Sequence, residues 1–290
     1  LGVVAVFAAG PATATPAQSA KSTQVAGRFV PSSSPTCGGL RPAKPGGGIY
    51  TCTFTDDFND AKLDSSKWAP ALTAENGFSQ GRECYVGGPN NISVSGGSLH
   101  LTSQVEATSF TCKSPYGDFT TSQTAASVLS TGRFSQTYGR FEFRAKFPST
   151  TIPGVDSALW MYPESPAYGA WPNSGEIDVA ERFGSTYGDH VFPSLHYAGL
   201  GTTLATGLNC VVPNSTSTFR TYAVAWTPTT MYFYYNNQLC YQHSWTPAAP
   251  LTAPQPFDKA FDLVMTQTGG MNAPAGTSMT MDIDWVRAWK

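Results

Sequence analysis

From Ile49 onward apolar and polar residues alternate in short runs closed by turn residues, and no run longer than about ten residues keeps a helical period. NISVSGGSLHLTS, YGRFEFRAKF, GEIDVAERF, TYAVAWT and MYFYYNNQLCYQH are examples. A strand with one apolar face must bury it, and the stable solution is a second sheet packed against it. The expected fold is therefore all-β, an antiparallel β-sandwich of the jelly-roll kind. In YGRFEFRAKF, Phe141, Phe143, Ala145 and Phe147 fall on one side and Arg140, Glu142, Arg144 and Lys146 on the other. That alternation predicts one core face and one wet face. Asn236-Asn237, set between aromatic runs, predicts a tight hairpin, because Asn tolerates the positive φ such turns need.

A chain of 290 residues can bury one sizeable core, and residues 49–290 are read as one domain. Residues 21–48, rich in Ser, Pro and Gly, read as a linker or extended arm. Residues 1–20 join an apolar run to small residues and Pro, with no acid or base, as in the remnant of a secretory signal cleaved after Ala14 or Ala20. A disordered Ala-rich tail is the plain alternative. No other apolar stretch approaches the ~18 residues a bilayer requires, so no membrane association is expected. Six cysteines, at 37, 52, 84, 112, 210 and 240, show no metal spacing and in an exported chain read as disulfides. Sequential pairing closes the shortest loops, although six cysteines allow many pairings. Charged residues are 12% and the net charge is -2, which leaves no broad basic surface for nucleic acid or anionic lipid. A neutral polymer is the better partner, and a monomer the default state. Asn91-Ile-Ser and Asn214-Ser-Thr are acceptor motifs for glycosylation.

Chemistry concentrates in Trp171-Pro-Asn-Ser-Gly-Glu176-Ile-Asp178-Val-Ala-Glu181. On a regular strand Glu176 and Asp178 share a face while Ile177 and Val179 point into the core. Glu181 would then fall on the wrong face. A β-bulge at Val179-Ala180 returns it to the side of the other two acids. Four strand steps at ~3.3 Å place the outer Cα atoms roughly 13 Å apart. Two glutamate arms leaning together leave the carboxyls about 5–6 Å apart, the gap retaining glycosidases use. Three carboxylates in one cleft do not all ionise freely, so one holds a proton. Glu181 is assigned as general acid/base, Glu176 as nucleophile and Asp178 as the assisting carboxylate.

The run YGRFEFRAKFP, GVDSALWMYPE, WPNSGEIDVAE from Tyr138 to Glu181 resembles family 16 glycoside hydrolases, in their laminarinase-like branch. FTDDFND at 54–60, YVGGPNNISVSGGSLHLTS after Cys84, SLHY at 194–197, YAVAWTP at 222–228, QTGG at 267–270 and MDIDWVRAW at 281–289 are similar in the same order. The resemblance covers roughly residues 49–290 and implies an open concave cleft and endo-acting hydrolysis with retention. It implies that Trp160 and Trp171 lie near the cleft, where an indole stacks on a pyranose, and that His196 sits beside the acids; core packing is the competing role of all three. It also implies a structural calcium at Asp57, Gly97 and Asp284, whereas catalysis needs no cofactor. Where relatives have an Asn-Glu pair, this chain reads Gln80-Gly81-Arg82-Glu83-Cys84, and Asn236-Asn237 replaces a commoner Asp-Gly. The expected activity is a secreted endo-β-1,3-glucanase, open to mixed-linked β-1,3-1,4-glucan. Agar, galactan or carrageenan hydrolysis, transglycosylation and a non-catalytic lectin-like sandwich are the alternatives.

Overall fold

The computed structural model describes residues 35–184, 188–199, 202–270 and 272–290. The signal-like run at 1–20 and residues 21–34 of the arm lie outside them. Helix among the described residues amounts to one turn at Thr73–Asn76 and a 3-10 turn at Cys37–Gly39. The rest of the regular structure is strand, in two layers that are antiparallel apart from a short parallel pairing of 84–85 with 124–125.

One layer runs through strands 202–206, 192–199, 176–183, 156–163 and 261–267 to the second half of 119–129. The other runs through 238–243, 231–235, 220–226, 139–146 and 278–289. The last of these pairs on its far edge with 52–56 and 98–112. Phe119–Leu129 is the corner that joins the layers: its first half pairs with 98–112 and its second with 261–267. The assembly is an open sandwich that does not close into a barrel.

Apolar residues from alternate positions of both layers meet between them. Phe141, Phe143, Tyr222, Val224, Phe233 and Ile283 from one layer face Leu159, Met161, Ile177, Val179, Leu195 and Leu263 from the other. Phe141, Phe143, Ala145 and Phe147 fall in this core as their spacing predicts. The opposite face of that strand is drier than expected at one end, where Arg140 is 7% and Glu142 4% exposed. The reason is tertiary. Residues 37–50 fold back over this face, with Cys37 and Tyr50 packed on Trp289, which is paired with Arg140. Arg140 offsets its burial with a 2.7 Å ion pair to Glu142 and a position over the Tyr234 ring.

Three disulfides join Cys37 to Cys52, Cys84 to Cys112 and Cys210 to Cys240, the sequential pairing. Asn236 and Asn237 form the hairpin with φ of 48° and 62°. Of the two glycosylation motifs only Asn214 is exposed; Asn91 is buried and its amide donates to the Thr102 carbonyl and the Thr124 hydroxyl.

Candidate active site

Glu176–Phe183 lies in the layer whose outer face is open, between strands 192–199 and 156–163. Its ladder slips by one residue on both sides. Against 192–199 the register passes from Asp178↔Ser194 to Glu181↔Phe192, and against 156–163 from Asp178↔Trp160 to Ala180↔Leu159. That extra residue is the expected bulge. Val179 and Ala180 both turn into the core at 0% exposure, and Glu181 rejoins Glu176 and Asp178 on the cleft face. The carbonyl of Val179 is met from across the sandwich by the Tyr235 hydroxyl, which donates to it at 2.9 Å.

Entry into the strand depends on Gly175. Its φ is +84°, and a Cβ there would lie 2.7 Å from the Phe257 ring, so only glycine allows the 164–175 loop to deliver Glu176 at this angle. The same loop carries Trp171, half-buried, with its ring 5.3 Å from that of His196. His196 is directly opposite Glu176 in the ladder. Its Nε2 lies 3.2 Å from Asp178 Oδ2 and 3.6 Å from Glu176 Oε1. Both residues are therefore on the cleft face beside the acids.

Trp160 requires a correction. It stands on the cleft side of its strand, opposite Asp178, yet is only 2% exposed. Ala71, Phe78 and Tyr85, from the 69–86 segment that lies across this end of the sheet, cover it, and its Nε1 donates to Thr266 Oγ1 at 3.0 Å. Core packing wins, and no ring face is left for a sugar.

Burial is the first cause of the unusual acidity here. It pushes Glu176 well above the ordinary carboxylate range, with Asp178 adding to the effect and Trp171 opposing it. Glu181 is raised well above its usual value by burial and then by Asp178, Asp156 and Glu176, while the Ser194 hydroxyl acts the other way. Asp156, two residues before the Ala158 that faces Glu181, is pushed up to about 7 by burial, Asp178 and Glu83. Asp156 does not emerge from sequence reasoning, and Glu83 emerges only as part of the 80–84 segment that departs from the relatives' Asn-Glu pair. For Asp156 the signal was there, since counting back by twos from Trp160 puts it on the cleft face; for Glu83 the signal was the departure of its segment, which gave no role to the residue itself.

At the residues expected to hold calcium, both carboxylates pair with arginines. Asp57 Oδ1 accepts from Arg287 at 2.8 Å, and Asp284 is paired with Arg144. Gly97 lies near Asn59, whose Oδ1 would be 3.4 Å from a Cβ at that position. Calcium takes backbone carbonyl and water oxygens as well as carboxylates, and in this structure both carboxylates of the expected set are paired with guanidinium groups. Among the described residues, the His, Asp and Glu side chains close enough to share a metal are Glu176, Asp178 and His196 themselves.

Comparison with known proteins identifies the family. Residues 86–287 match the model of glycosyl hydrolases family 16. The beta-glucanase of Rhodothermus marinus is 30% identical over 83% of this chain and 85% of its own length. The glucan endo-1,3-beta-glucosidase A1 of Niallia circulans is 29% identical over 86% of this chain, and the keratan-sulfate endo-1,4-beta-galactosidase of Sphingobacterium multivorum 31% over 83%. The chain spans only 39% and 55% of the length of those two. The solved laminarinase from Rhodothermus marinus superposes with a TM-score of 0.67 at 28% identity, covering 83% of this chain and 97% of that one. Family match, relatives and fold agree: the chain is a glycoside hydrolase of family 16.

Proposed function

We propose that the chain is a secreted, retaining endo-β-1,3-glucanase that also accepts mixed-linked glucan. The observation that carries this reading is the bulge at Val179-Ala180, because without it Glu181 would face the core. Glu176 attacks the anomeric carbon as Glu181 protonates the departing oxygen, leaving a glycosyl ester. Glu181, now ionised, takes a proton from water, whose oxygen displaces Glu176 and restores the original configuration. His196 Nε2 lies within reach of both the Asp178 and the Glu176 carboxyls, and Trp171 offers the ring against which a pyranose stacks. Both displacements use carboxylates, so the scheme calls for no cofactor.

Relatives named as a beta-glucanase and a glucan endo-1,3-beta-glucosidase support the glucan assignment. Three disulfides suit an oxidising compartment, and no helix among the described residues is long and apolar enough to cross a membrane. A monomer acting on an extracellular polysaccharide is the form this reading takes. The second reading, a galactan substrate, is favoured by the relative named as a keratan-sulfate galactosidase.

Release of reducing ends from laminarin, lichenan, curdlan, agarose, carrageenan and keratan sulfate separates these. Laminarin and curdlan should be cut fastest; preferential cutting of a galactan would replace the assignment, and binding without product would indicate a lectin. Glu176→Gln should lower kcat at least about 10³-fold while oligosaccharide affinity is nearly retained. Retained turnover in that variant would remove Glu176 from its role.

A further inference from the structure

Beside the acidic strand, the open face deepens into a cavity of about 610 Å³ whose walls include Gln80, Glu83, Gln123, Asp156 and Thr268. Its size falls within the ~300–1,000 Å³ of small-ligand sites. Its chemistry is different from that of most such sites. Among the described residues no aromatic ring lines it to stack on a sugar, and hydroxyl, amide and charged groups dominate the wall.

Two wall residues are unusual. Glu83 and Asp156 are each 5% exposed, and Glu83 Oε2 and Asp156 Oδ1 are buried with no hydrogen-bond partner. Buried acceptors are normally satisfied, and an exception needs an explanation. Both acids are held in place. Glu83 Oε1 accepts from the Gly269 N–H at 3.3 Å, and the Asp156 N–H donates to Thr268 Oγ1 at 2.6 Å. Gly81, at φ +71°, leaves the room Glu83 needs, since a Cβ there would lie 2.9 Å from Glu83 Oε2. The neighbouring Cys84 is bonded to Cys112, which ties this segment to the end of the 98–112 strand. Arg82, the one cation among the described residues of the wall, is exposed. A rigid pair of buried acceptors near the bond to be cleaved suits a ligand that brings hydroxyl donors and no negative charge.

We infer that Glu83 and Asp156 form a specificity pair, accepting hydrogen bonds from hydroxyls of a neutral sugar residue bound beside the scissile one and excluding a residue that carries sulfate there. This rests on the hydrolase reading above and narrows its substrate. It also separates this cleft from one built for sulfated galactan.

Glu83→Gln and Asp156→Asn keep side-chain shape and remove charge. With laminarin, each should raise KM about 10-fold, the value of one charge-assisted hydrogen bond, with a much smaller change in kcat. The preference for laminarin over partially sulfated laminarin should fall by a similar factor. A merely structural role would lower kcat or stability without moving that ratio. Cleavage of laminarin with KM and the ratio unchanged in both variants would overturn the pair and leave the glucanase reading intact. Should the wild type cut no β-glucan, the glucan reading fails. The pair is then decided by titrating Glu176→Gln, with and without Asp156→Asn, against neutral galactan oligosaccharides. About 10-fold weaker binding in the double variant supports it, and equal or absent binding overturns it.

Discussion

At position 156 a carboxyl whose ordinary pKa is 3.8 is pushed to about 7, first by burial and then by Asp178 and Glu83. A raised carboxyl pKa means that the fold favours the protonated form. The associated stability is fully present below the unfolded value of 3.8 and is lost as pH rises through about 7. Glu83, Glu176 and Glu181 are raised as well, so the cleft as a whole gives up stability in the same direction. The protonated Glu181 that acid catalysis needs is obtained at the expense of stability in the neutral range. Asp156→Asn should therefore raise stability at pH 8, by at most about 4 kcal/mol, and change it little at pH 4. Thermal unfolding at the two pH values measures this, and an equal effect at both would show that Asp156 carries no buried charge.

Among the elements, the Glu176–Phe183 strand does the most with the fewest residues, and its bulge is supported from the opposite layer. Tyr235 is 4% exposed, stands in the core beside Tyr222, and donates to the carbonyl that the slipped ladder displaces. Tyr235→Phe keeps the ring and removes this one bond, leaving a buried carbonyl unsatisfied at a cost of about 1–3 kcal/mol. Because Glu181 follows Val179 by two residues, kcat should fall about 10-fold or more while KM changes little. A loss of stability with kcat unchanged would show that the bulge holds itself. The bulge was legible in the sequence because it follows from local counting: three acids, one face, one residue too many. Phe141, Phe143 and Ala145 were legible for the same reason. Trp160 was not, since its cover comes from Ala71, Phe78 and Tyr85, more than seventy residues earlier by number. Strand alternation gives the side of a sheet a residue occupies, but not what later lies on that side. Arg140 and Glu142 were missed in the same way, beneath an arm whose composition suggested a loose linker.

Across the whole molecule the two sheets divide the labour. The 176–183 layer presents the acids, and the 139–146 layer turns a charged face outward, where Arg144 pairs with Asp284, Lys146 with Asp282 and Arg287 with Asp57. Residues 37–50 close part of that second face. Cys37 is fully buried, its disulfide to Cys52 fastens the arm to the 52–56 strand, and Trp289 Nε1 donates to the Leu40 carbonyl. These residues of the arm thus stand behind the sheet, opposite the cleft. Their contribution is to stability: closing a loop of this length is worth about 3 kcal/mol, added to the apolar cover they give Trp289. Replacing Cys37 and Cys52 together by Ser should lower the unfolding midpoint by several degrees while kcat and KM on laminarin, measured well below that midpoint, stay at their wild-type values. The two sheets are joined through one shared core, which includes Phe54 at one end and Ile177 and Val179 at the other. A change in kcat without a change in midpoint would therefore mean that the outer arm sets the position of the acidic strand through that core, and that the two layers are less independent than their faces suggest.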